Sequence, residues 1–302
     1  MSFILLGILN AQALAGAKGV AGYFGGGSSG TTVDKFAFPT DARTTLATGL
    51  SSQRQWLAGM SDSGVAGYMG GGQGAASVTT VDKFAFPTDA RTTLGVGLSV
   101  ATYQLGAMSD FGVAGYFGGG YTTVATLAVN KFAFPTDART TLATGLSSAR
   151  HYVAGMSDSG VAGYFGGGLG GGVNKATVDK FAFPTDARTT LATGLSSARR
   201  DMGAMSDSGV AGYFGGGESG GVVTTVDKFA FPTDARTTLG VGLSVARDGL
   251  AGMSDSGVAG YFGGGGGTTV DKFAFPTNAR TTLGVGLSVA LNNNASMQDG
   301  GL

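Results

Sequence analysis

The sequence predicts an all-β chain made of six copies of one unit, each folding as four short antiparallel strands. Three observations predict it. Gly-Tyr-Phe-Gly-Gly-Gly begins at residues 22, 67, 115, 163, 212 and 260, with Met69 in place of Phe in the second copy. Phe-Ala-Phe-Pro begins at 36, 84, 132, 181, 229 and 273, and successive starts lie 44 to 49 residues apart. No run inside the unit is long enough for a typical helix, and β-branched and aromatic residues fill the runs. A period of this length marks units that bury their hydrophobic faces only by stacking on one another.

The second copy shows each element in order. Leu-Ala-Gly-Met (57–60) is a short apolar run ended by the turn cluster Ser-Asp-Ser-Gly. Val-Ala-Gly-Tyr-Met-Gly-Gly-Gly (65–72) follows, its glycines permitting close backbone approach. A loop of changing length leads to Thr-Val-Asp-Lys-Phe-Ala-Phe (80–86), where Phe84 and Phe86 share one face by the two-residue period. Pro87 ends that run because it has no N–H for the ladder. Thr-Asp-Ala turns the chain into a fourth run, Thr-Thr-Leu-Gly-Val-Gly-Leu (92–98).

Four-stranded sheets repeated radially form a β-propeller of about 4–8 blades, so the expectation is a six-bladed propeller over residues 13–290. Residues 1–12 stand apart as an apolar segment, an edge strand or an assembly contact, and 291–302 as a C-terminal tail. A signal peptide at 1–17 would need a basic n-region that this stretch lacks. The first strand of the first copy is placed at Ala13 to Ala17. Two segments can close the ring, residues 3–9 added to the last blade or 288–302 added to the first, and the sequence leaves both open.

The Gly-Tyr-Phe-Gly-Gly-Gly, Asp-Lys-Phe-Ala-Phe and Thr-Thr-Leu segments, with the Ala-Arg of Arg150, Arg199 and Arg247, resemble the order of elements in a kelch blade. The resemblance spans roughly 13 to 290. It departs where a kelch unit usually has Trp in the last strand, since this chain has Thr-Thr-Leu there. The near-identical copies also look like kelch-type proteins encoded by tailed phages and some bacteria, which implies a virion-surface or extracellular setting.

Composition narrows the function. With 19 basic and 19 acidic residues the formal net charge is zero, and most charges belong to the repeat. Nothing forms the basic stripe that nucleic-acid binding needs, and no stretch is long enough to span a bilayer as a helix. Glycine, at 58 residues, sits at fixed offsets with regularly spaced apolar residues between, which favours a packed core over disorder. Cysteine is absent, so disulfides and Cys-based metal sites are excluded.

Antiparallel connectivity puts the first-to-second and third-to-fourth turns on one face of the disc and the second-to-third loops and blade linkers on the other. The first face is uniform across copies, reading Ser-Asp-Ser-Gly and Pro-Thr-Asp-Ala-Arg almost throughout. The second is diversified. Its linkers carry Gln53, Arg54, Gln55 and Trp56; then Thr102, Tyr103 and Gln104; then Arg150, His151 and Tyr152; then Arg199, Arg200 and Asp201; then Arg247 and Asp248; and finally Asn292 and Asn293. Tyr121 opens one of its loops. The only Trp and the only His collect there, and Trp, Tyr and Arg supply most binding energy on recognition surfaces. These residues are the expected ligand- or partner-binding set, although exposed loops also drift freely once their strands are fixed.

The uniform face offers two rings of Asp, one through Asp62, Asp110, Asp158, Asp207 and Asp255, the other through Asp41, Asp89, Asp137, Asp186, Asp234 and Asn278. Hard oxygen ligands suit calcium, but Asp in tight turns bonds its own backbone, and Arg43, Arg91, Arg139, Arg188, Arg236 and Arg280 stand two residues from the second ring. Turn chemistry and local ion pairs are expected there; no metal and no cofactor is expected. A Ser-His-Asp triad could use only His151, and paired carboxylates would have to come from the turn Asp residues or Glu218, so no catalytic residues are expected. The reading is a non-enzymatic binding propeller, a phage tail-fibre or virion-surface protein recognising a cell-surface carbohydrate or protein. The alternative is a structural module that docks to other virion or envelope subunits, with homo-oligomerisation left open.

Overall fold

The computed structural model describes residues 20–28 and 30–300. It is a six-bladed β-propeller: six four-stranded antiparallel sheets, and no helix among the described residues. Blade 2 runs from the axis outward as Ala58–Asp62, Ala66–Gly70, Val81–Ala85 and Ala90–Thr93. Blades 3 to 6 repeat that order, starting at inner strands Gly106–Asp110, Ala154–Asp158, Gly203–Asp207 and Leu250–Asp255. Blade 4 adds a small hairpin, Leu169–Gly170 with Val173–Asn174.

Blade 1 is assembled from both ends of the described chain. Ala295–Gln298 pairs antiparallel with Ala21–Gly25, which continues into Val33–Ala37 and Ala42–Thr45. The ring is therefore closed by the C-terminal candidate. The segment read as a tail holds the innermost strand of the first blade, where Ala-Ser-Met-Gln takes the place of Ala-Gly-Met-Ser. The strand placed at Ala13 to Ala17 and the apolar segment 1–12 lie outside the described residues.

The fourth strand is shorter and earlier than the run 92–98. It covers Ala90–Thr93, after which Leu94 donates one more bond to Val81 and the chain turns inward. Leu98 then donates to Thr79 and is buried. At Gly97 a Cβ would lie 2.1 Å from the Thr79 carbonyl oxygen, so only glycine lets the chain fold back there.

Each hydrophobic cluster is shared by two adjacent blades; one combines Met60, Tyr68 and Val81 of blade 2 with Leu105, Phe117, Phe132 and Phe134 at blade 3. The second glycine-bearing position explains the repeated Gly-Tyr. A Cβ on Gly115 would fall 2.2 Å from the Met60 sulfur, and the other five copies meet the inner-strand methionine of the preceding blade in the same way. Methionine fills the irregular gap and glycine supplies it. Outside that contact Tyr68 stacks on Phe134, with ring centroids 5.3 Å apart. The same stack recurs at every blade junction, including Phe38 on Tyr261 between the first and last blades.

Candidate functional site

The last residue of each linker has left-handed backbone geometry. Trp56, Gln104, Tyr152, Asp201, Gly249 and Asn293 have φ between 56° and 63°. In that conformation each N–H points around the axis and donates to the carbonyl of the preceding linker: Trp56 to Asn293, Gln104 to Trp56, Tyr152 to Gln104, Asp201 to Tyr152, Gly249 to Asp201, and Asn293 to Gly249, at 2.7–3.1 Å. The result is a closed hexagon of backbone hydrogen bonds at the mouth of the axis. A second closed ring lies deeper, where the N–H groups of Ser61, Ser109, Ser157, Ser206, Ser254 and Gln298 each donate to the side-chain oxygen of the next member.

Between the rings the axial cavity is only about 120 Å³. The inner strands alternate Ala-Gly with Gly-Ala from blade 2 to blade 6, because a Cβ on Gly59, Gly155 or Gly252 would lie 1.9–2.2 Å from a neighbouring carbonyl oxygen. The axis is a packed seam, so a ligand meets the rim around the hexagon.

Linkers and second-to-third loops do share that rim. They touch through isolated backbone bridges: Gln55 with Gln73, Tyr103 with Tyr121, His151 with Leu169 and Arg200 with Glu218. Their side chains form a continuous arc over blades 2 to 5. Trp56 lies 5.8 Å from Tyr103, Tyr103 5.6 Å from Tyr121, Tyr121 5.0 Å from His151, and His151 4.9 Å from Tyr152, centroid to centroid. The Arg200 guanidinium lies over Tyr152 and pairs with Glu218. His151 Nδ1 sits 2.7 Å from Gln104 Oε1; with that oxygen accepting, Nδ1 carries the proton and Nε2 is left as an acceptor. Burial, then Arg200, lowers the His151 pKa, which favours the neutral ring. Across the hexagon the wall is low. Asn292 and Asn293 pack where Gly249 has no side chain, and a Cβ there would fall 2.0 Å from Asn292 Oδ1. Asp201, between the two halves, is pushed up to about 7 by burial and then by Asp248, against Arg200.

Six of the expected binding residues are not available on this rim. Arg54, Arg150, Arg199 and Arg247 are buried and ion-paired at 2.7–2.9 Å with Asp82, Asp179, Asp227 and Asp271 of the blades they lead into. Each also donates to a carbonyl on the second strand, as Arg150 does to Phe165. A buried carboxylate needs a cation and several donors to offset its lost hydration, and the linker arginine supplies both. Thr102 is buried at the same position and bonds to Val100; Gln104 is buried beside His151. Gln53 is exposed, and Gln55, Trp56, Tyr103, Tyr121, His151, Tyr152, Arg200, Asp201, Asp248, Asn292 and Asn293 are half-buried at the rim. Sequence reasoning missed Gln73 and Glu218, whose signal is their place at the head of loops that pair with the linkers.

The second Asp ring on the uniform face is engaged between blades. Asp89 accepts from Tyr23 Oη at 2.7 Å and from Lys35 Nζ at 2.8 Å, both from the preceding blade, and the pattern repeats at Asp137, Asp186, Asp234 and Asp41. The nearby arginines pair instead within their own blade, as Arg91 does with Asp82 at 3.6 Å. Among the described residues no group of three or more His, Asp or Glu could hold a metal ion.

No protein-family model matches this sequence, and no curated protein matches it. Among solved structures the chain is similar to YjhT, with a TM-score of 0.72 over 89% of this chain and 96% of that one at 15% identity. At that identity the likeness shows the fold.

Proposed function

We propose that the chain is a non-enzymatic recognition propeller whose diversified face binds a cell-surface carbohydrate or protein, in a virion-surface or extracellular setting. The observation that carries this reading is the aromatic arc. In an otherwise repeated ring, the hexagon positions hold six different residues, and three of them, Trp56, Gln104 and Tyr152, adopt a backbone conformation that favours Gly, Asn or Asp. Gly249, Asp201 and Asn293 fill the equivalent positions at lower conformational cost. Strain kept at one rim supports selection for what those side chains meet. The virion setting and the kelch kinship rest on the sequence resemblance.

Val20 bonds to Asp299 and its carbonyl accepts from Phe38, so the described chain enters and leaves on the uniform face, away from the diversified rim. Exposed valines ring the uniform face at Val20, Val65, Val113, Val161 and Val210, which favours an assembly contact on that side. The test is adhesion of the labelled protein to a panel of bacterial cells. Replacing Trp56, Tyr103 and Tyr152 together by Ala should abolish adhesion while the fold persists; adhesion that survives unchanged removes the reading, and an assembly role for this face takes its place.

A further inference from the structure

We infer that the recognition face takes an uncharged glycan, and that a sugar residue of it seats in a cleft beside the aromatic arc, between the loops of blades 1 and 2. This rests on the recognition reading above. The cleft has a volume of about 330 Å³ and is lined by Ser28, Gln53, Gln55 and Gln73, with Gly27, Gly74 and Ala75 leaving it open. That volume lies within the range of small-ligand sites.

The lining chemistry selects the ligand class. Arg54 contributes to the wall, but its guanidinium is buried, neutralised by Asp82 and bonded to the Met69 carbonyl, Ser51 and Ser52. Among the described residues, what remains is three carboxamides and a hydroxyl, each able to donate and accept. Vicinal sugar hydroxyls have the same dual character. A carboxylate or sulfate would enter without a counter-charge and lose hydration uncompensated.

The equivalent positions of the next blades are filled. Tyr103 and Tyr121 meet ring to ring, and Arg200 and Glu218 meet as an ion pair, whereas Gln55 and Gln73 border open space. Gln55 immediately precedes Trp56, the first member of the arc. A chain of sugars leaving the cleft therefore meets Trp56, Tyr103 and Tyr121 in turn, and apolar sugar faces pack on aromatic rings while hydroxyls face the polar rim.

The probe is a glycan array carrying neutral hexose and N-acetylhexosamine oligosaccharides beside sialylated, uronic and sulfated ones. Binding confined to neutral oligosaccharides is expected. Gln53→Ala with Gln73→Ala should weaken it at least tenfold with an unchanged melting curve, and the single Gln53→Ala, at an exposed position, should weaken it measurably. Binding only to acidic glycans overturns the inference and leaves the recognition reading intact. Neutral binding that survives both glutamine variants but is lost on replacing Trp56, Tyr103 and Tyr152 also overturns it, because the ligand then sits elsewhere on the same face. An empty array with cell adhesion retained overturns it in favour of a protein receptor.

Discussion

Tyr261 of the last blade donates its phenolic hydrogen to Asp41 of the first at 2.7 Å, and Lys272 pairs with the other oxygen of the same carboxylate at 2.7 Å. With Phe38 stacked on Tyr261, this joint repeats four of the five internal ones, so the junction across the chain ends is built like theirs. The exception is a useful control. Tyr213 donates to Asn278, where no carboxylate is present to pair with Lys228.

That control predicts a graded response at Asp41. Asp41→Asn copies the Asn278 junction, keeps an acceptor for Tyr261 and tolerates φ of 57°. It should cost about 0.5–1 kcal/mol, the worth of a partly exposed ion pair. Asp41→Ala removes the acceptor as well and leaves the buried Tyr261 hydroxyl and the half-buried Lys272 ammonium unmatched, at about 2–3 kcal/mol. Urea midpoints at constant m-value measure both; equal losses would mean that the hydroxyl bond carries nothing.

The buried linker arginines predict a compensating double variant. Arg150→Thr alone leaves Asp179 with Ser147, Thr190 and the more distant Arg188 at 3.8 Å, and should cost about 3 kcal/mol, the lower end for a broken buried pair. Adding Asp179→Asn recreates the Thr102 and Asn130 pair of blade 3, where Asn130 Oδ1 accepts from the Ser99 N–H at 3.1 Å. Most of the loss should return. A double variant no more stable than the single one would show that the two sites are not coupled.

Much of this was legible in the repeat and some was not. Strand order, blade number and the sharing of one rim by linkers and loops follow from antiparallel connectivity alone. The burial of Arg54, Arg150, Arg199 and Arg247 does not follow from their position in a variable stretch, because an Arg in a linker reads as exposed. Its signal was a joint change in one copy, Thr102 for Arg with Asn130 for Asp, blurred by the copy that has Leu291 for Arg and keeps Asp34. The closing strand was hidden because Ala-Ser-Met-Gln keeps only the methionine and the leading alanine of Ala-Gly-Met-Ser. The cleft needs three glutamines from two connections to meet, which only the bridge between Gln55 and Gln73 reveals.

The inner-strand carboxylates predict an acid-side stability maximum. Burial raises Asp62, Asp110, Asp158, Asp207 and Asp299 above the ordinary value of 3.8; Lys83, Lys131, Lys180 and Lys228 offset the first four only in part, as the Ala21 and Val20 N–H groups and then Lys35 do for Asp299. A carboxyl with a raised folded pKa binds its proton more tightly in the native state, so stability grows as pH falls through its folded pKa and levels off below the unfolded one. Asp82 and Asp227 act in the opposite sense. Burial raises them, but Ser and Thr hydrogen bonds with Arg54 or Arg199 prevail and the net shift is downward. Their contribution is present above the unfolded value and is lost only as pH falls through the folded one. The melting temperature should therefore rise as pH falls from 7 toward the ordinary carboxylate value of 3.8 and fall in stronger acid, and Asp110→Asn should flatten the rise. A steady fall from pH 7 downward would contradict this account.

The hexagon predicts a trade between stability and recognition at its aromatic members. Trp56 and Tyr152, both at φ 56°, hold a conformation that costs a residue with a Cβ about 1–2 kcal/mol. Asn tolerates it better and occupies the same position as Asn293 with φ 60°. Tyr152→Asn keeps the backbone ring, since the bonds to Gln104 and from Asp201 use main-chain atoms. What it gives up is a half-buried ring against His151 and beneath Arg200, whose ring contacts are worth about 0.5–1.5 kcal/mol beyond the apolar area it buries. Relief of the left-handed backbone offsets part of that loss, so stability should fall by no more than about 1–2 kcal/mol. Trp56→Asn follows the same arithmetic. Adhesion should respond differently, with each single substitution weakening it at least tenfold and the pair removing it. If either variant unfolds instead, the aromatic rings hold the rim together and their unusual backbone is explained by packing rather than by a ligand.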